Sequence, residues 1–400
     1  MNTAVFSFER PLHPDLAEEI EKQSIYVSAG LRQMIASSDR TELVAEYEGV
    51  DEAALRGRVE RFIDTMLKGF RPVEYKVIRR HQRRQRMPYE TDVFAKLVDR
   101  GWVLELGPGQ VALAGPALAL TAAIERKVAA IGRTRFGAVE RAYPTLIPAS
   151  ALARCGYLDS FPQHLSVVMH MHEDFDALDR FRRSNSDRKR LNVPDVAVFA
   201  DPKACLCPAL CYHCYPILAG RRLGSHGHVE TAIGRVARYE STSMVGLDRL
   251  WEFTQRSIIW LGEDDFCQER RERTIDVAME LAEAWDIDCT IETASDPFFA
   301  SVATAKSFWQ RAQDLKFELR VPVEPGPNGK PRTVAAASFN LHGPFFGNAF
   351  DIRSESGEAA FSGCACWGLE RWVLAVFTQH GFDITRWPVA LRAEVSDADA

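Results

Sequence analysis

Apolar and polar positions change period several times along this chain, and those changes mark out its elements. Residues 4–10 alternate as a strand does, and Asp15 to Gln23 carries a helical spacing. Glu42-Leu43-Val44-Ala45-Glu46-Tyr47 alternates cleanly, which predicts a strand with one face in a core. Asp51 then caps an amphipathic helix to about Lys68, with Leu55, Val59, Phe62, Ile63 and Met66 on one face. These pieces predict a small α+β module.

Further on, Trp102 to Ala114 is strand-like on either side of Gly107-Pro108-Gly109, a turn signal. Gly115-Pro116 opens a long helix to about Gly132, apolar at Leu118, Leu120, Ala123, Ile124, Val128 and Ile131. A strand follows and ends in the Pro-rich segment 144–148. Beyond it short strands and helices alternate without the even rhythm of a parallel sheet. Arg180 to Arg190 is a charged loop or helix end, and Pro322 to Pro331 is a loop. Near the C-terminus an apolar run reaches Gly368, and Trp372, Val373, Leu374, Val376 and Phe377 continue as a buried helix. The division expected is an N-terminal α+β module with a basic linker over 1–100, a larger domain over 101–390 and a polar tail over 391–400.

Composition adds bounds to that outline. The 400 residues are 46% hydrophobic and 26% charged, an ordinary balance for a globular chain of two domains. With 49 basic and 55 acidic residues the net charge is −6, which argues against a generally nucleic-acid-binding surface. No apolar run is long enough to span a bilayer, and Met1 to Phe6 lacks the form of a signal peptide, so a cytoplasmic protein without membrane contact is expected. Nine cysteines in such a compartment argue against disulfides. Four of them, Cys205, Cys207, Cys211 and Cys214, crowd together and raise metal binding. Arg79, Arg80, Arg83, Arg84 and Arg86, with His81 among them, form a basic run. It reads either as a contact for RNA or another phosphate-rich partner, or as a solvated linker or helix face.

Candidate chemistry sits where strands hand over to loops or helices. Arg371 follows Gly368 at such a junction, and a guanidinium there suits a phosphate. Tyr143-Pro144-Thr145-Leu146-Ile147-Pro148, then Arg238-Tyr239-Glu240 with Arg249-Leu250-Trp251-Glu252-Phe253, then Gly368-Leu369-Glu370-Arg371 form an ordered set of three. Taken singly they are a strand end, a surface ion pair and core aromatics. Taken in order they resemble motifs 1, 2 and 3 of class II aminoacyl-tRNA synthetases. The resemblance is closer to the branch of methanogen-type seryl-tRNA synthetases and amino acid:carrier-protein ligases. It is carried by Ser160-Phe161-Pro162-Gln163-His164, Pro208-Ala209-Leu210-Cys211-Tyr212-His213, Asp296-Pro297-Phe298-Phe299 and Ser338-Phe339-Asn340-Leu341-His342, across roughly residues 102–388.

The resemblance implies an antiparallel sheet flanked by helices, dimeric through the element ending at Pro144. It implies activation of an amino acid or related carboxylate by ATP and Mg²⁺ as an acyl-adenylate. Arg238 would hold the α-phosphate and the attacking carboxylate, and Arg371 the γ-phosphate. Glu240 would accept from the adenine amino group, Phe253 would stack on the ring, and Arg249 would be a further phosphate contact. Ser338, Asn340 and Gly368 would lie beside the nucleotide. Two acceptors are open, the phosphopantetheine thiol of a carrier protein or a tRNA. The negative net charge and the lack of a large anticodon-binding domain favour the carrier. A synthetase-like binding or regulatory protein without activity is the third reading.

The same branch binds zinc through Cys, Glu and Cys, and the open position takes the substrate amine. Here the cysteines correspond to Cys211 and Cys364, but the glutamate position holds Ser257. Either zinc is missing, or Cys207, Cys214, His213 or Cys366 takes over, or the pocket around Ser257 recognises another substrate. Motif 3 departs as well, with Cys366-Trp367-Gly368 where Gly-x-Gly is usual, so Trp367 is expected to narrow the adenine pocket. Lys306 and Gln310, spaced i,i+4, are expected to point the same way, either toward the substrate with Lys316 and Glu318 nearby or as a solvated helix face.

Overall fold

The computed structural model describes residues 1–396 apart from 85–87, 188–189, 194–195, 242–243, 245 and 325–331. Arg86, most of the 322–331 loop and the last four residues of the expected tail therefore lie outside the described residues. The N-terminal strands β1 (Asn2–Ser7), β2 (Leu31–Ala36) and β3 (Glu42–Tyr47) form an antiparallel sheet in the order β1-β3-β2. Helices α1 (Pro14–Gln23) and α2 (Glu52–Gly69) cover its apolar face. The periodicity explains this. Leu43, Ala45 and Tyr47 point inward at every second residue of β3, and Leu55, Val59, Ile63 and Met66 follow one stripe of α2. The Asp51 side chain accepts from Ala54 N, the N-cap bond that its position predicts.

The basic run does not stay a linker. Val77–His81 forms β4, an edge strand of the large sheet, antiparallel to a strand introduced below. Arg83 is buried, ion-paired with Asp288 and set 4.5 Å from the Tyr89 ring. After α3 (Val93–Asp99), the hairpin β5 (Val103–Gly107) and β6 (Gln110–Leu113) leads into α4 (Gly115–Phe136). Then come β7 (Val139–Ala142), β8 (Leu146–Pro148), α5 (Ala149–Arg154), α6 (Tyr157–Ser160), β9 (Val167–Val168), α7 (Phe175–Ser184), β10 (Ala204–Leu206) and α8 (Cys211–Leu218).

The long strands follow: β11 (His228–Ala237), β12 (Glu252–Gly262), α9 (Asp264–Ala284), β13 (Cys289–Thr293), α10 (Ala300–Ala312), β14 (Lys316–Val323) and β15 (Arg332–Gly343). The chain closes with α11 (Phe345–Phe350), β16 (Phe361–Gly368), α12 (Leu369–His380) and α13 (Val389–Ser396). Eight strands form one sheet in the order β4-β13-β14-β15-β16-β12-β11-β7, antiparallel except for the parallel β11–β7 pair. This is the sheet that the sequence led us to expect.

The two faces of that sheet differ, and the difference positions the site. Behind it, α4, α9 and α12 bury Trp260, Trp285, Trp367 and Trp372 in one core. Arg256 on this side is 1% exposed and is held by Glu125 and Glu140, which ties α4 and β7 to β12. Gly363 lets β16 pass Trp260, since a Cβ there would lie 2.5 Å from the Trp260 indole nitrogen. In front, α8 and α11 pack on Ile259, Leu261, Cys364 and Cys366 but leave part of the sheet uncovered. The chain beyond Pro388 is not simply polar. Through Ser396 it forms α13, and Leu391 and Val395, one turn apart, are buried. Among the described residues no helix is long and apolar enough to cross a membrane.

Candidate active site

The uncovered front of the sheet is the floor of a cavity of about 460 Å³, within the range of small-molecule sites. Strand register sets that floor. Glu318, Ser338, Cys366 and Ser257 lie opposite one another on β14, β15, β16 and β12, and Lys316, Asn340, Cys364 and Ile259 form the next row. Because side chains alternate faces, Trp367, one residue beyond Cys366 on β16, points backward, as Ala365 between Cys366 and Cys364 does. Trp367 is 1% exposed, in the core behind the sheet, with its ring centroid 6.3 Å from that of Phe339. It therefore does not narrow the pocket.

Arg238 leaves the end of β11 and Arg371 lies in the first turn of α12, and both line this one cavity. Arg238 Nε donates to Pro208 O at 2.9 Å. Arg371 donates to Asp248 O at 2.8 Å and Ala335 O at 2.9 Å. Among the described residues neither is ion-paired with a carboxylate, so each spends only part of its donor fork on carbonyl oxygens. Burial pushes Arg371 down from the usual arginine range, and the nearby Arg238 charge adds to the push. Two half-buried cations that repel across open space make a place for a polyanion.

The other expected nucleotide contacts divide. Phe253 lines the cavity, with the Arg238 guanidinium 5.6 Å from its ring. Gly368 lines it too, and a Cβ there would meet only Arg371 Cδ at 3.9 Å. Glu240 and Arg249 are bonded to each other at 3.1 Å and line adjoining recesses beside Asp248. Ser338 and Asn340 lie on the floor, 3.1 Å apart, but Asn340 also points its amide to Cys364 O at 3.3 Å. Asn340 thus sits at the thiol end of the floor. Ser257 is fully buried beneath Cys366 and does not line the cavity.

Lys306 and Gln310 reach the cavity together from α10, as their spacing predicts. Lys306 Nζ donates to Ser160 Oγ at 2.7 Å, and Gln310 Nε2 donates to Asp296 Oδ2 at 2.6 Å. Asp296 is a residue whose role the sequence did not suggest. Burial alone would raise its carboxyl, but the Lys316 ammonium and the Gln310 amide hold it below the usual carboxylate range. Burial would likewise lower Lys316, and Asp296 with Glu318 keeps it raised. Gln255 lines the cavity while its side-chain oxygen accepts from Leu210 N at 3.1 Å. His164 also lines it, and burial lowers its imidazole. Its Nε2 is buried with no hydrogen-bond partner among the described residues, so it is available to a ligand. Asp296 and His164 stand in the segments Asp296-Pro297-Phe298-Phe299 and Pro162-Gln163-His164, which carry the resemblance. Their roles needed the third dimension.

The donor set at the far end of the floor suits zinc. Cys211 and Cys364 are in hydrogen-bond contact, Cys364 Sγ lies 3.8 Å from His342 Nε2, and Cys366 Sγ lies 3.6 Å from Cys364 Sγ. Thiolates and imidazole are zinc's ordinary ligands. Of the other thiols, Cys207 is buried against Ala209 O, and Cys214 belongs to a separate group with His228 and Glu230.

The eight-stranded sheet, with two cations over its open face and motif helices behind it, is that of the class II synthetases. The solved Methanopyrus kandleri SerRS in complex with A. aeolicus tRNASec superposes with a TM-score of 0.71 at 23% identity, over 99% of this chain and 77% of that one. No family model matches the sequence. Among curated proteins, the chain is 32% identical to amino acid–[acyl-carrier-protein] ligase 1 of Bradyrhizobium diazoefficiens, over 67% of this chain and 80% of the relative. It is 33% identical to ligase 2 of that organism, over 67% and 78%. It is 27% identical to type-2 serine–tRNA ligase of Methanocaldococcus jannaschii, over 76% of this chain and 59% of the relative. The chain belongs to the amino acid–[acyl-carrier-protein] ligase family.

Proposed function

We propose that this chain activates an amino acid with ATP and passes the acyl group to the phosphopantetheine thiol of a carrier protein. The observation that carries the reading is the pair Arg238 and Arg371, distant in sequence, facing one cavity without carboxylate ion-pair partners among the described residues. In the first step a carboxylate oxygen attacks the α-phosphorus, and pyrophosphate leaves. Arg238 neutralises charge growing at the α-phosphate, and Arg371 holds the departing phosphates. Such a displacement needs position and fixed charge rather than a covalent role for the protein. In the second step the carrier thiol attacks the acyl carbon, a thioester forms and AMP leaves.

Phe253 gives the adenine a flat apolar surface. Glu240 accepts from the adenine amino group, and Arg249, bonded to it here, contacts phosphate. Ser338 and Glu318, opposite one another in register, offer oxygen to Mg²⁺. Cys211 and Cys364 would hold zinc, which would supply a Lewis-acidic position for the substrate α-amino group. Lys306, Gln310 and the Asp296–Lys316 pair fix the polar wall against which the substrate is oriented.

The test is ATP–pyrophosphate exchange over a panel of amino acids, followed by an acceptor assay. Exchange with at least one acid, and a thioester on a phosphopantetheinylated carrier, is the expected result. An ester on tRNA instead would make the chain a seryl-type synthetase. Silence with every acid would leave a synthetase-like binding protein. Each outcome selects one of the three readings.

A further inference from the structure

Two departures from the resembled motifs, far apart in sequence, turn out to be neighbours. Ser257 on β12 stands where the branch has its third zinc ligand, and Cys366 on β16 stands where it has a glycine. They are paired in register across adjacent strands. Both point to the front face, and the Ser257 hydroxyl donates to Cys366 Sγ at 3.3 Å. Loss of a long carboxylate side chain from β12 empties space next to β16. Gain of a side chain on β16 puts a sulfur into it. The exchange moves a ligand from one strand to the next without moving the metal position.

We propose that Cys366 is the third zinc ligand of this protein, with Cys211 and Cys364, and that Ser257 supports it by a hydrogen bond. The inference rests on the ligase reading for the presence of zinc, but its ligand set comes from these strands. Each thiol gives its proton to solvent as zinc binds. Three thiolates balance zinc to a net charge of −1, as two thiolates and a carboxylate would. The fourth tetrahedral position stays open for an amine.

The sulfur geometry is close to what is needed. Tetrahedral bonds of about 2.3 Å place sulfurs about 3.8 Å apart, and Cys364 and Cys366 lie at 3.6 Å. Among the described residues, the three ligand atoms found within 4.8 Å of one another are those of Cys214, His228 and Glu230, so the three sulfurs here form a bend through Cys364. Closing that bend around one metal requires a side-chain rotation of Cys211 or Cys366. The Cys214 group is the weaker candidate. Its Glu230 already accepts from Tyr143 at 2.5 Å and Arg141 at 3.0 Å, and a cation at the carboxylate opposes a metal.

Zinc-edge X-ray absorption of the full-length protein loaded with one equivalent of zinc chloride tests this directly. Three sulfurs at about 2.3 Å and one lighter atom are expected. Two sulfurs, or no bound zinc, would overturn the assignment, and neither readout needs a variant to fold. Cys366→Ser, nearly equal in volume, should lose zinc to a chelator at least tenfold more readily. The pair Cys366→Gly with Ser257→Glu should recover retention with a two-sulfur shell. Unchanged retention in Cys366→Ser would count against the proposal. A three-sulfur shell in a protein silent in pyrophosphate exchange would sink the ligase reading and leave the metal site standing.

Discussion

At the residue scale the site works through charges that are partly or fully buried and held in place. Replacing Arg238 or Arg371 with alanine should lower pyrophosphate exchange about a hundredfold or more, near 3 kcal/mol, as loss of a fixed transition-state donor does elsewhere. Exchange kinetics beside a thermal melt would check this, and a variant with full exchange would remove that arginine from the phosphate path. Asp296 makes a different prediction. Its folded carboxyl titrates below the ordinary 3.8, so its contribution to stability is present above that value and disappears as acid protonates it. Asp296→Asn should flatten the acid limb of the stability curve below about pH 4. At pH 7 it should also cost about 2 kcal/mol, because buried Lys316 loses the nearer of its two carboxylate partners and keeps only Glu318 at 3.4 Å. Denaturant unfolding at several pH values measures both effects.

At the element scale the sites for ATP and substrate are set by strand ends and one helix start. Glu370, in the first turn of α12, accepts from Thr254 N and Thr254 Oγ1, each at 2.9 Å, and so pins the helix that carries Arg371 to β12. A carboxylate near a helix N-terminus is also favoured by the helix dipole. Glu370→Ala leaves a buried N–H unmet and should cost about 2 kcal/mol, with weaker ATP binding. Glu370→Gln, which keeps an acceptor, should recover most of both in melting and nucleotide-titration experiments. Elements of this kind were the legible part of the sequence. The strand at Glu42–Tyr47 and the cap at Asp51 are local patterns, and local patterns survive folding. Arg238 and Arg371 were legible because junctions of strand with loop or helix bracket them. Trp367 was misread because a motif gives spacing but not which face of a strand a residue takes. Asp296 was missed because its partners Lys316 and Gln310 come from other elements, and only packing brings them to it. Val77–His81 looked like a linker because an exposed edge strand keeps the polarity of one.

At the scale of the whole molecule the question is what covers the edge at β7. Among the described residues the large sheet ends there, and the β7 backbone is paired on one side only, with β11. Val139 is 51% exposed and Leu146 on β8 is 47% exposed, while Arg256 and Glu140 hold this corner rigid from behind. Exposed strand edges invite another chain, and proteins that leave them bare usually blunt them with charge. This edge also carries the Pro144 segment, through which the resemblance implies a homodimer. We propose that two copies meet at β7 and β8. Light scattering on the purified protein should then give twice the 44.9 kDa chain mass. Val139→Lys together with Leu146→Lys should shift it to the monomer mass, since lysines placed in a symmetric contact meet their own copies. The two substituted positions are outside the cavity, so the variant separates assembly from chemistry. If its pyrophosphate exchange falls with the mass, the corner formed by Arg256, Glu140 and Glu125 is how the neighbouring copy steadies β12 and the cavity floor. A monomer mass for the unaltered protein would refute the dimer, and the edge would then be free for another partner.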